Sequence, residues 1–168
     1  MRFDVKSFKS LYCVSSSPIR FILDSRSSSN EIILINQFRF PTMNSENSSG
    51  WLTEIVAGLC DENENVEDSI KREMVEEIGY MPKRLIKICD VHMAPGSVQE
   101  YLSIFFAEVC DKTKLSSGGG VDEGEDIKIL RFKFDEINDL FLQRKIDDAK
   151  TIIAIQWLIM NRDKFLKS

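Results

Sequence analysis

Apolar residues in the first forty positions come in short β-branched and aromatic runs. Leu11-Tyr12-Cys13-Val14 and Ile19-Arg20-Phe21-Ile22-Leu23 are separated by Ser15-Ser16-Ser17-Pro18. A second serine-rich turn, Ser25 to Asn30, precedes Glu31-Ile32-Ile33-Leu34-Ile35. These runs predict strands, the last of them buried, with alternation continuing through Gln37-Phe38-Arg39-Phe40. Pro41 to Gly50 is polar and reads as a loop. Trp51 to Ala57 predicts a further strand, broken at Gly58.

Beyond an acidic loop from Cys60 to Glu64 the period changes. Val66, Ile70, Met74 and Ile78 stand four apart, the spacing of one helix face. Asn65 is the predicted N-cap, Glu67 and Asp68 suit the first turn, and Gly79 is the stop. Leu85 to Asp90, Tyr101 to Val109 and Ile127 to Phe134 predict strands. Between the last two lies a long acidic, glycine-rich loop, Asp111 to Asp126. Loops of that length inside a domain usually carry function or are disordered. A short helix is predicted over Asp135 to Gln143, and a final one to about Phe165 capped by Asp147 or Asp148. There is no internal repeat and no dividing linker, so a single α/β domain over residues 1–168 is expected.

Composition narrows the chemistry. The chain has 168 residues, 43% of them hydrophobic, enough for one sizeable core. No apolar run approaches the roughly 18 residues that span a bilayer, and Met1 to Ser10 has no signal-peptide core. A cytoplasmic protein with no membrane partner is expected. Cys13, Cys60, Cys89 and Cys110 fit no zinc spacing and read as free, partly buried thiols. A net charge of −5 disfavours nucleic acid as a partner. It also means that an anionic substrate would need a cation to offset the carboxylates around it. The single histidine, His92, has no nucleophile elbow to serve, so acid–base work falls to carboxylates.

The carboxylates gather between Gly58 and Tyr80. Glu64 follows the glycine, and Arg72-Glu73-Met74-Val75-Glu76-Glu77 ends the helix. Glu73, Glu76 and Glu77 fall at i, i+3 and i+4, hence on one face, while the apolar face anchors the helix elsewhere. Such a face is either solvated or neutralised by cations. Hard oxygen donors in this number suit Mg²⁺, with Mn²⁺ as a substitute. An EF-hand over Asp61 to Arg72 fails, because its sixth position is Val66 and its twelfth Arg72.

Gly58 to Tyr80 resembles a complete Nudix box, with every fixed position filled. Seven fixed residues at about 7% usage each would meet by chance about once in 10⁸ starts. The resemblance implies a Nudix α/β/α sandwich with a mixed sheet. It implies a Mg²⁺-dependent enzyme that hydrolyses a nucleoside diphosphate linked to another moiety. Glu73, Glu76 and Glu77 would ligate the metals, joined by the backbone carbonyl of Ala57. Arg72 would orient the glutamates, and Glu64 would hold the loop by pairing with Arg72 or by capping the helix.

Gln37-Phe38-Arg39, Glu54-Ile55-Val56-Ala57-Gly58, Gly118 to Ile127, and Lys145 to Thr151 resemble the ADP-ribose and nucleotide-sugar pyrophosphatases. That likeness implies a catalytic base in the glycine-rich loop, Glu123. Glu125 would be a further metal ligand or the alternative base, and the glycines would let the loop close over substrate. Arg39 and Glu54 would contact the nucleotide or its phosphates, and Glu100, after Pro95-Gly96-Ser97, the substrate or a metal. ADP-ribose is expected first, then UDP-glucose or another UDP-sugar, then GDP-mannose. A non-catalytic nucleotide-binding module is the outside alternative. The likeness further implies a homodimer in which N-terminal strands within residues 1–40 cross to the partner.

Overall fold

The isoleucine–leucine run after Asn30 makes the strand round which the rest is laid. The computed structural model describes residues 16–24, 31–45, 47–120 and 126–165. In chain order the strands are β1 (Ser16–Asp24), β2 (Glu31–Phe38), β3 (Trp51–Glu54), β4 (Arg84–His92), β5 (Tyr101–Val109) and β6 (Ile127–Lys133). The helices are α1 (Val66–Ile78), α2 (Phe134–Leu142), α3 (Ala149–Met160) and the single turn α4 (Arg162–Phe165).

The sheet runs β3-β2-β1-β5-β4, with β6 also paired to β2. β1 and β5 are parallel from Ser16–Tyr101 to Asp24–Val109. The other pairings are antiparallel, so the sheet is mixed, as expected. Strand periodicity sorts the side chains to two faces. Ile33 and Ile35 of β2, with Phe105, Ala107 and Val109 of β5, pack under α1 through Ile70, Met74 and Ile78. Ile32 and Leu34, with Leu102, Ile104 and Phe106, pack under α2 and α3 through Ile137, Ala154, Ile155 and Leu158. Helices therefore cover both faces, and the α/β/α sandwich stands.

Three boundaries differ from the sequence reading. β1 begins at Ser16 and includes Pro18, which the sequence placed in a turn. Among the described residues β2 meets β1 only at Ile22 to Asp24, so the missing N–H of Pro18 falls where β1 is paired on one side. β3 ends at Glu54, because the chain leaves β2 there and turns toward α1. The last helix stops at Met160: Asn161 Nδ2 donates to Trp157 O at 2.8 Å and its N–H turns back to the same carbonyl at 3.1 Å. The expected strand Leu11 to Val14 lies outside the described residues.

Candidate active site

Helix α1 places its glutamates as the sequence predicts, because both its ends are fixed. Asn65 Oδ1 accepts from Glu67 N–H at 2.8 Å. Gly79 closes the helix in the left-handed region at φ 80°. Ile70, Met74 and Ile78 are fully buried, which sets the rotation of the helix. The opposite side opens on a cleft of about 1010 Å³. Arg39, Glu54, Ala57, Arg72, Glu73, Glu76, Glu77 and Glu100 all line it. The structure thus brings together every predicted site residue it describes. Glu123 and Glu125 lie outside the described residues.

Arg72 organises this end of the cleft. Its Nε and Nη2 donate to the two oxygens of Glu64 at 3.2 and 3.1 Å, a bidentate grip. Nη1 donates to Glu73 Oε1 at 2.9 Å and Glu76 Oε2 at 3.1 Å, and Nη2 also reaches the carbonyl of Leu59 at 3.0 Å. The bond to Glu64 leads in raising the guanidinium further above its ordinary value. The same bond leads in holding the Glu64 carboxyl below its own, with the N–H of Asp61 helping. Of the two roles proposed for Glu64, pairing with Arg72 is the one seen.

Glu77 is 2% exposed and accepts from the N–H of Ala57 at 3.2 Å. Glu73 lies flat against Gly58: a Cβ at that glycine would stand 1.8 Å from Glu73 Cδ. Only glycine leaves room there, which explains the first residue of the box. The donors are hard carboxylate oxygens, the type that suits Mg²⁺ or Mn²⁺. Among the described residues no three acidic, cysteine or histidine side chains already converge as a metal cage. Arg72 occupies oxygens of Glu73 and Glu76, and Glu77 is turned to Ala57, so ligation would require these carboxylates to share or exchange partners.

The glycine-rich loop is tied to the same helix. Gly118, Gly119 and Gly120 have φ of 69°, 99° and 65°. This left-handed run lets Gly119 N–H donate to Glu77 O at 2.7 Å and Gly120 N–H to Glu76 O at 3.2 Å. Ser116 Oγ adds a bond to Val75 O at 3.1 Å. From the sequence these glycines are expected to serve loop closure. Here they cap the C-terminal carbonyls of α1.

Another wall of the cleft holds Lys150, a site residue the sequence reading missed, beside the expected Glu54 and Arg39. Glu54 is 1% exposed. One of its oxygens takes Arg39 Nε at 2.7 Å and the other takes Lys150 Nζ. Lys150 also bonds Asp148 Oδ1 at 2.7 Å. Asp148, not Asp147, caps α3 through the N–H of Thr151 at 2.9 Å. Lys150 sits in the first helical turn, where the dipole disfavours a cation. That mismatch was the readable signal that this lysine serves something other than its helix. His92 is exposed, and its ring lies tilted against that of Tyr101 with centroids 4.8 Å apart. Cys60, Cys89 and Cys110 are free and partly buried.

Comparison with known proteins agrees with this geometry. The family model described as NUDIX domain matches residues 19–155. GDP-mannose pyrophosphatases of Escherichia coli and Shigella flexneri are each 37% identical over 130 residues, covering 77% of this chain and 67% of theirs. A solved structure described as an ADP compounds hydrolase superposes with a TM-score of 0.66 at 22% identity, over 88% of this chain and 75% of that one. At that identity the likeness speaks for the fold.

Proposed function

The chain belongs to the NUDIX family, and on that premise we propose that it is a divalent-metal-dependent pyrophosphatase acting on a nucleoside diphosphate sugar. The observation that carries the reading is that two unlike walls line one cleft. One wall is the glutamate face of α1 ordered by Arg72. The other is the cation pair Arg39 and Lys150, fixed on buried Glu54. A diphosphate lying between them meets positive charge on one side and carboxylates able to share a cation on the other.

Glu73, Glu76 and Glu77 would hold Mg²⁺ or Mn²⁺, with the Ala57 carbonyl beside them. A bound divalent cation would neutralise charge developing at phosphorus and lower the pKa of a water. The protein's own groups do the rest. Arg72 keeps the glutamates aligned while remaining charged itself. Arg39 and Lys150 orient the phosphates, and Glu100 contacts the sugar or base end of the substrate. Glu123, with Glu125 as alternative, takes the proton of the attacking water. Cleavage gives a nucleoside monophosphate and a sugar phosphate. The likeness to GDP-mannose pyrophosphatases moves that substrate ahead of ADP-ribose and UDP-glucose in the order of testing. From GDP-mannose the products would be GMP and mannose 1-phosphate.

The test is a substrate panel with Mg²⁺, comparing GDP-mannose, ADP-ribose and UDP-glucose by phosphate release after phosphatase coupling. One of the three should be turned over well above the others. Glu77→Gln should lower turnover by about a thousandfold or more while its melting curve stays close to that of the parent. Full activity in that variant, or no turnover of any of the three by the parent protein, would sink the proposal.

A further inference from the structure

The first turn of α3 carries a chain of hydrogen bonds of which the reaction scheme uses Arg39, Glu54 and Lys150 but not Thr151. Thr151 is fully buried. The N–H of Ile55 donates to its Oγ1 at 2.9 Å, and its hydroxyl donates to Asp148 Oδ2 at 2.5 Å. Asp148 Oδ1 takes Lys150 Nζ at 2.7 Å, Lys150 reaches Glu54, and Glu54 holds Arg39 at 2.7 Å. The chain therefore begins and ends on the same piece of backbone. The N–H of Ile55 belongs to the peptide that Glu54 opens, and the Glu54 side chain closes the circuit.

We propose that Thr151 is a positioning residue for the cationic wall of the cleft, fixing the Glu54–Ile55 peptide to Asp148 so that Arg39 and Lys150 present their charges in register to a diphosphate. This rests on the functional reading given above. Capping alone does not call for a hydroxyl here. The cap is made by the N–H of Thr151, which any residue but proline would supply. The hydroxyl does two further things at once, accepting from a strand-end peptide and donating to the carboxylate that carries Lys150. Valine has nearly the same shape and would keep the cap and the packing. It would leave the Ile55 N–H without this acceptor and Asp148 without one of its donors.

The test uses the full chain as Thr151→Val and Thr151→Ser. Binding of inorganic pyrophosphate, measured calorimetrically without metal, reads the cationic wall alone. Steady-state kinetics with Mg²⁺ and the preferred nucleotide sugar read it in turnover. Thr151→Val should weaken pyrophosphate binding and raise KM by about tenfold each. Its kcat should change by less than about threefold, and Thr151→Ser should restore both values. A folded Thr151→Val protein with parental pyrophosphate affinity and KM would overturn the assignment, leaving Thr151 a purely structural residue. So would failure of serine to restore them, or absence of pyrophosphate binding to the parent. If Thr151→Val does not fold, Asp148→Asn breaks the same chain one link further on. It should show the same loss of pyrophosphate affinity, and an unchanged affinity would overturn the proposal. A parent protein that binds pyrophosphate but hydrolyses no nucleotide sugar would refute the functional reading, while the pyrophosphate ratios would still decide the role of Thr151.

Discussion

Gly58 shows how one missing methyl group can hold a site open. The carboxyl of Glu73 occupies the space a side chain there would need, with Cδ 1.8 Å from the Cβ position. Gly58→Ala should therefore displace Glu73 by an ångström or so. Displacement on that scale costs about a hundredfold in rate, with little change in melting temperature because the cores lie elsewhere. Turnover near the parent value at saturating metal would contradict this. The glycine was legible as part of a spaced motif, but its reason was not, since sequence spacing does not show that a carboxylate fifteen positions on folds back against it. The same holds for Glu54. Its place in a strand could be read, whereas its near-complete burial depends on Arg39 and Lys150 arriving from far away in the chain.

At the scale of elements, the loop between Gly58 and α1 is fastened to the helix through Glu64 and Arg72, with Ser69 Oγ donating to Leu59 O at 3.2 Å as a second tie. Arg72 holds the Glu64 carboxyl below its ordinary value of 4.5, so this group binds protons less readily folded than unfolded. Its contribution to stability is then complete above the unfolded value and lost as pH falls through the folded one. The melting temperature of the parent should exceed that of Glu64→Gln by a constant margin over roughly pH 6 to 8, and the margin should shrink below pH 4.5. A margin independent of pH would show that the clasp owes nothing to charge. Helix α1 was legible in full because its caps and its apolar face agree. The end of α3 was not, because apolar residues continue past Asn161 and only the backbone bonds there show the stop.

For the whole molecule, the layers followed from strand alternation and helix spacing, whereas the order of strands could not. That order puts β1 in the middle of the sheet. The dimer remains a proposal, and sedimentation at micromolar concentration should return twice the mass of 19.3 kDa. A single species at the monomer mass would refute it. The position of β1 also bears on how the chain reaches its native state. Its parallel neighbour β5 starts only at Tyr101, with α1 and β4 made in between. A ribosome delivers β1 long before the strand it must lie beside, and the closure entropy of that loop precedes any gain from the pairing. Growth of the sheet should therefore be the slow phase of refolding. Until it occurs one edge of β1 stays unpaired in the nascent chain, the form in which such proteins are exposed to aggregation and to chaperones.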